Sequence, residues 1–377
     1  MLESTVLDRA FASRPAAYRL MNMMKWRVFL LSSVLAVSTG AIAGAPITGA
    51  GSTAAQPLYG ALAKAYAAGG GPALDYQAVG SSAGIVKIRE RSVAFAASDV
   101  AMNAEQLDKD KLVCFPSAIS GVAIVANVPG VGSGDLRLTG ELLADIFARK
   151  ITKWNDAALV AVNPGLRLPA LPIVVIVRSD GSGTTYNFTD YLAAVSPEWR
   201  KTRGRDFKVA WPADTIAVKG SGDVAKTVKD TRGAIAYIDF RYAVESKLAT
   251  AKLRNRDGLF VAPTPEGFAL AVKNSAWTTQ AKFEETLTDK PGASTWPITA
   301  GTFVLVPRAT ATPEQTIAAL KFFMWSFVNG DKLTENASFV RLPDRVQGRV
   351  FGEVTKITDS SGQPLRWSLT SALQSKP

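Results

Sequence analysis

The sequence predicts an α/β fold whose short strands end in glycine- and hydroxyl-rich turns that open onto helices. Three observations carry this expectation. From Pro46 onward, strand-like and helix-like apolar periodicities alternate, as they do where helices pack on a largely parallel sheet. Three strands run into turns of similar composition, namely Gly49-Ala50-Gly51-Ser52-Thr53, Gly80-Ser81-Ser82 and Ser179-Asp180-Gly181-Ser182-Gly183-Thr184. The chain has 377 residues, 47% hydrophobic and 20% charged, which suits two domains better than one.

The first segment does not read as part of the globule. Lys25 and Arg27 precede an apolar run from Val28 to Val37, and Ala41-Ile42-Ala43 then offers small residues at cleavage positions. Residues 1–43 therefore read as a secretory signal peptide, with an apolar run too short to span a bilayer in the ordinary way. Nothing before Met21 or Met24 fits a signal pattern, so translation is expected to start at one of those methionines. No cysteine stands at the cleavage site for a lipid anchor, so the mature protein is expected free in the periplasm.

The elements follow in order. Ile47 begins a strand, and Leu58, Leu62 and Tyr66 then recur at helical spacing, with Thr53 at the helix mouth. The Ala/Gly-rich stretch from Tyr66 to Pro72 reads as a helix end and loop. Leu74 to Val79 gives a second strand, Ser81 and Ser82 the next helix mouth, and Ala83 to Arg89 its helix. Val93 to Ala97 is a third strand, ending in Ser98-Asp99. Thr139 to Ile151 reads as an amphipathic helix with Leu142, Leu143, Ile146 and Phe147 on one face, closed by Lys153-Trp154-Asn155-Asp156. Ile173 to Val177 is a β-branched strand that leads through Arg178 to Thr185 into another helix. Val224 to Asp230 reads as helix, Gly233 to Ile238 as a buried strand and Phe303 to Val306 as another. Thr312-Pro313-Glu314-Gln315 has the pattern of a capping box, and Gly330 ends a helix whose core face is Ile317, Leu320, Phe323, Met324 and Phe327.

The turn from Arg178 to Thr185 carries the most chemistry. A helix start exposes unpaired N–H groups and the positive end of the helix dipole; here hydroxyls, glycines and an arginine that can fork two bonds onto one oxyanion surround it. The pattern is not a Walker loop, because Gly183 stands where that motif needs lysine. Ligands of open α/β sheets lie beyond the carboxyl ends of the strands, so the three turns can face one cleft. Each turn can equally be an ordinary helix cap. Asp99 either caps the next helix or accepts a hydrogen bond from a ligand that still carries a proton, repelling an anion that has none. Phosphate keeps a proton near neutral pH and sulfate does not.

Composition excludes several classes. The chain has no histidine, which removes serine-histidine hydrolases and histidine-ligated metal sites. Cys114 is the only cysteine, so no intrachain disulfide forms, and its place before Phe115 to Val125 reads as a small buried thiol. Net charge is +11, and removing residues 1–43 leaves 38 basic against 30 acidic side chains, which favours an anionic partner. The densest basic cluster, Arg200, Lys201, Arg203, Arg205 and Lys208, lacks the stripe that nucleic acid requires and reads as a solvated loop.

These motifs resemble the periplasmic phosphate-binding proteins that feed phosphate ABC transporters. The resemblance rests on Thr48 to Gly51, Gly80 to Ser82, Ala97 to Asp99, Lys153 to Asp156, Asn163 to Leu166, Arg178 to Thr184, Trp296 to Thr299, Leu342 to Asp344 and Asp359 to Gly362, and it covers nearly the whole mature chain. It implies an α/β, class II periplasmic-binding-protein fold, two α/β lobes joined by two crossovers around a ligand cleft. Lobe I would comprise residues 44–118 plus 298–377 and lobe II residues 119–297. The family's ligand positions fall on Thr53, Ala54, Ser81, Asp99, Arg178, Ser182, Gly183 and Thr184, with Asp180 pairing the arginine.

The family usually places an aromatic residue and a proline after the threonine, whereas this chain has Ala54-Ala55. An apolar wall of the cleft is thereby lost, which allows tighter closure around phosphate or entry of a larger phosphonate or phosphate ester. The tail from Arg366 to Pro377 runs past the family's usual end.

The resemblance implies a monomer that binds inorganic phosphate and meets an inner-membrane permease complex, with no cofactor, metal or nucleic acid. Two other readings compete. One is a secreted relative that binds arsenate or a phosphonate, or serves as an interaction protein. The other is a secreted phosphatase with Ser182 or Thr184 as nucleophile, which would lack a histidine base.

Overall fold

The computed structural model describes residues 45–277, 279 and 283–368. The expected signal peptide, with Met21 and Met24, lies outside those residues, as does most of the tail after Arg366. The chain opens with β1 (Ile47–Gly51), α1 (Gln56–Ala68), β2 (Leu74–Gln77), α2 (Ser81–Arg89) and β3 (Phe95–Ser98). Next come α3 (Ala104–Asp110), the long β4 (Leu112–Asn127), β5 (Arg137–Leu138), α4 (Gly140–Phe147) and α5 (Ala157–Val162). The middle of the chain holds β6 (Val174–Arg178), α6 (Gly183–Val195), α7 (Pro197–Thr202), β7 (Ile216–Val218), α8 (Gly220–Asp230), β8 (Ala234–Asp239) and α9 (Phe240–Glu245). Small strands β9 (Ala249–Thr250), β10 (Lys252–Arg254) and β11 (Phe260–Val261) lead to α10 (Pro265–Lys273). The last part comprises β12 (Thr299–Pro307), β13 (Ala309–Thr310), α11 (Pro313–Asn329), α12 (Asp331–Asn336), α13 (Asp344–Val354) and β14 (Thr358–Asp359).

The main sheet runs in the order β2-β1-β3-β12-β4-β8-β6-β7, with β9 also pairing to β4. Its flanks are parallel, β1 with β2 and β3 on one side and β6 with β7 and β8 on the other. Its middle is antiparallel, which departs from the largely parallel sheet expected. The reason is β4: residues 112–121 pair with β12 and residues 122–127 pair with β8, so one extended strand serves both flanks without an intervening helix. Every residue of β8 and β12 is buried, which is why Ala234 to Ile238 and Phe303 to Val306 read as apolar runs.

Each flank has its own aromatic centre within a continuous core. Tyr59 of α1 lies 5.2 Å from Tyr76 and 5.5 Å from Phe323, and Phe95 lies 4.9 Å from Phe323, ring centre to ring centre. On the other flank Phe188 of α6 stacks 4.4 Å from Tyr237 and 4.6 Å from Phe147. Such pairs contribute about 0.5–1.5 kcal/mol each beyond the area they bury. These clusters hold α1 and α6 against the sheet, so their N-termini are fixed relative to the strand ends.

Four local expectations need correction. Thr312 does not form a capping box, because its N–H already donates to Thr310 Oγ1 at 3.1 Å; the Gln315 side chain is left without that partner and its Oε1 is buried and unsatisfied. The amphipathic helix α4 starts as expected, capped by Thr139 accepting the Leu142 N–H at 3.3 Å, but stops at Phe147 because Arg149 takes a left-handed φ of 64°. The basic cluster is solvated as expected, with Arg200, Lys201, Arg205 and Lys208 exposed, but it is not all loop: Arg200 and Lys201 sit in α7, and Arg200, Arg203 and Arg205 are tied to Ala193 O, Ala210 O and Asp190 respectively. Cys114 is half-buried on β4 rather than wholly enclosed, and burial pushes its thiol up to about 12, so it is an inert group.

Candidate functional site

The six strands of the two parallel flanks of the main sheet end at one place. On the first flank β1 stops at Gly51, whose φ of 139° and position against β3 admit glycine alone, since a Cβ there would lie 2.0 Å from the Ala97 carbonyl oxygen. That close approach brings the turn after β1 onto the end of β3. Ser52 Oγ lies 2.7 Å from both carboxylate oxygens of Asp99, to which it donates, and Ser52 Oγ in turn accepts the Ala55 N–H at 3.2 Å. Thr302 Oγ1 also donates to Asp99 Oδ1, at 3.1 Å, from the point where the β4–β12 register shifts. Asp99 is buried, which raises its pKa, and hydrogen bonds from Ser52 and Thr302 and the charge of Arg178 pull it partly back.

On the second flank β6 delivers Arg178, buried with its fork on Asp180. Arg178 Nε donates to Asp180 Oδ1 at 2.7 Å and Nη2 donates to Oδ2. Burial pulls the Asp180 pKa up, but the bonds and charge of Arg178 and the Gly220 N–H outweigh it and hold the carboxylate below its ordinary value. Tyr237 Oη accepts the Arg178 N–H at 3.1 Å and meets Thr185 Oγ1 at 2.7 Å, so the strand end and the start of α6 are locked together. Ser182 caps α6 by accepting the Thr185 N–H at 3.2 Å.

The two flanks meet across these turns. Gly183 N–H and Asp99 N–H both donate to Ser81 Oγ, at 3.2 and 3.3 Å. Ser82 N–H donates to Gly181 O at 3.1 Å, and Asn187 Nδ2 donates to Asp99 O at 2.7 Å. Thr53 Oγ1 lies 2.9 Å from Ser221 Oγ, which also accepts from Arg178 Nη1 at 3.4 Å. Thr53, Ala54, Ser81, Asp99, Arg178, Ser182, Gly183 and Thr184 are all buried, and the structure brings every one of these turns to the same cleft. Ala54 and Ala55 fill the start of α1 as small buried groups, with no side-chain cap there.

Sequence reasoning missed Ser52, Asn187, Ser221, Tyr242 and Thr302. Ser221 carried the signal: Ile216 to Val218 followed by Lys219-Gly220-Ser221-Gly222 is again strand, glycine turn and helix start, yet the helix was expected only from Val224. Ser52 stood beside Thr53 in a turn already singled out. Thr302 and Asn187 carried none, because a strand interior and a helix interior hold them and only the packing aims them at Asp99.

The arrangement therefore combines one forked guanidinium, the N-termini of α2, α6 and α8, and several hydroxyls with one buried carboxylate that no cation forks. Donors outnumber acceptors, which fits an oxyanion, and the lone acceptor fits one that carries a proton. Among the described residues no cluster of histidine, cysteine, aspartate and glutamate could hold a metal ion, and no helix is long and apolar enough to cross a membrane.

Comparison with known proteins agrees with this fold. Residues 36–329 match the model of a PBP superfamily domain. The phosphate-binding protein PstS of Xylella fastidiosa strain Temecula1 is 42% identical over 297 residues, covering 79% of this chain and 81% of that protein. That of Pasteurella multocida strain Pm70 is 38% identical over 337 residues, covering 89% of this chain and 97% of its own. The crystal structure of a phosphate binding protein from Stenotrophomonas maltophilia superposes with a TM-score of 0.62 at 20% identity, covering 82% of this chain and 93% of that one, a likeness of fold. The expected α/β class is thus met, its sheet mixed rather than largely parallel, and the chain belongs to the phosphate-binding protein PstS family within the PBP superfamily.

Proposed function

We propose that this chain captures inorganic phosphate in the cleft between its two flanks and hands it to an inner-membrane ABC permease, acting as a monomer in the periplasm. The observation that carries the reading is that Arg178 and Thr53 share the Ser221 hydroxyl, while the N–H groups of Gly183 and Asp99 share the Ser81 hydroxyl, so the turns of both flanks meet. The names of its relatives, phosphate-binding proteins at 38–42% identity, support it. The two flanks would be lobes of residues 44–118 with 298–377 and 119–297, and the boundary at residue 118 falls inside β4, a strand that each flank shares.

In this reading Thr53, Ser81, Ser182 and Thr184 donate hydroxyl protons, Ala54, Gly183 and Thr184 donate backbone N–H groups, and Arg178 donates from the guanidinium N–H groups that are not turned to Asp180. Asp99 accepts the P–OH proton. Asp180 holds the guanidinium in its plane, so that little rotamer entropy is lost when the anion arrives. A phosphatase reading is disfavoured by the chemistry: the chain has no histidine, and Ser182 Oγ is engaged in capping its own helix.

Isothermal titration of the wild type and of Asp99→Asn against phosphate and sulfate tests the assignment. Phosphate is expected to bind the wild type tightly and sulfate poorly, and Asp99→Asn is expected to narrow that gap. Unchanged selectivity in Asp99→Asn would remove the acceptor role, and no heat with phosphate would remove the function.

A further inference from the structure

Thr53 is held twice from the opposite flank. Its side chain meets Ser221 Oγ at 2.9 Å, from the first turn of α8, and its carbonyl accepts from Tyr242 Oη at 2.9 Å, from α9. Both holding elements are themselves anchored. Gly220 N–H donates to Asp180 Oδ1 at 3.1 Å, which ties the mouth of α8 to the Arg178 pair, and Asp239 caps α9 by accepting the Arg241 N–H at 3.0 Å.

The proton count allows this grip a direction. A guanidinium only donates, so at Arg178 Nη1 the Ser221 oxygen accepts, which leaves the serine's own proton free to be given to Thr53 Oγ1. In that arrangement Thr53 keeps its one hydroxyl proton for the cleft. A chain of hydrogen bonds running one way also strengthens each member. We infer that Ser221 and Tyr242 are positioning residues that grip Thr53 across the cleft, fix it as a donor and set how long the cleft stays closed on its ligand. The inference rests on the phosphate reading for its kinetic consequence, while the grip itself is a contact between the two flanks.

Stopped-flow association and dissociation of phosphate with Ser221→Ala, Tyr242→Phe and the double variant test it, alongside small-angle scattering with and without phosphate. Each single variant is expected to dissociate phosphate about 5- to 20-fold faster, the loss of one buried hydrogen bond, with association changed less than about twofold. The double variant should show a larger radius of gyration than the wild type, because the cleft opens more often. A double variant that dissociates phosphate at the wild-type rate, or whose weaker binding lies wholly in association, overturns the inference. If the wild type itself gives no phosphate signal, the functional reading fails and scattering decides alone: a wider double variant upholds the grip, and an unchanged one refutes it. Thermal unfolding of each variant at wild-type temperature separates these outcomes from a damaged fold.

Discussion

Replacing Gly183 by alanine should uncouple folding from binding, and the structure gives the size of the effect. A Cβ at Gly183 would lie 2.6 Å from Ser81 Oγ, 2.7 Å from Asp99 Cβ and 2.9 Å from Asp99 Oδ2, all on the opposite flank. Ordinary contacts need about 3.5 Å, so the flanks must part by roughly 0.8 Å at this point. The Gly183 N–H bond to Ser81 Oγ, already 3.2 Å, then passes out of hydrogen-bond range. Losing two or three such cross-cleft bonds at about 1 kcal/mol each weakens phosphate binding by roughly 30- to 150-fold. Within its own helix the substitution is harmless. Gly183 is the first residue of α6 and is not among the glycines with positive φ, so alanine is neutral or stabilising there by up to about 1 kcal/mol. Titration calorimetry and thermal unfolding of the ligand-free protein read the two effects separately. Affinity within threefold of wild type would refute the closed-cleft argument, as would a loss of affinity that merely follows a loss of fold.

Other perturbations follow from the same geometry. Arg178→Ala should abolish most phosphate affinity and also destabilise the ligand-free protein by about 3 kcal/mol, because it leaves Asp180, whose side chain is only 10% exposed, beside no cation; adding Asp180→Ala should recover part of the stability but none of the binding, as denaturation and calorimetry would show. Asp239 is fully buried on Ser120 Oγ at 2.6 Å, and burial, with the Asp99 charge adding to it, raises its pKa from 3.8 to about 7. The folded state therefore binds that proton more tightly than the unfolded state, so its contribution is complete below about pH 4 and is lost as pH climbs to about 7. Stability of the ligand-free protein should accordingly fall across this window by about 2–4 kcal/mol, and Asp239→Asn should flatten the slope; a denaturation series from pH 4 to 8 with equal slopes in both proteins would contradict it. Incubation with an aryl phosphate ester should release no alcohol above background, and turnover lost in Ser182→Ala would instead restore the phosphatase reading.

Much of the site was legible because its parts are local. The turns at Gly49 to Thr53, Gly80 to Ser82 and Arg178 to Thr184 announce themselves by composition, since only small, flexible and hydroxylated residues make a strand-to-helix turn with free N–H groups. The same logic placed α2, α6 and their caps within a residue or two. It failed at Thr312, where a neighbouring hydroxyl two residues away competes for the N–H that a capping box needs. It also missed the partners of Arg200 in α7 and of Arg203 and Arg205 after it, which are carbonyl and carboxylate oxygens outside that helix.

By itself the sequence determined the α/β alternation, the hydroxyl- and glycine-rich helix mouths and the place of Asp99 at the end of β3, because each depends on residues within a few positions of one another. Tertiary structure alone decided that β4 would serve both flanks and turn the sheet's middle antiparallel, since strand pairing is a choice among distant partners. It also decided which groups would complete the cleft. Thr302 and Ser52 stand on elements far apart in the chain yet both donate to Asp99, and Ser221 reaches Thr53 across 168 positions, contacts that no local pattern encodes because folding selects them through packing.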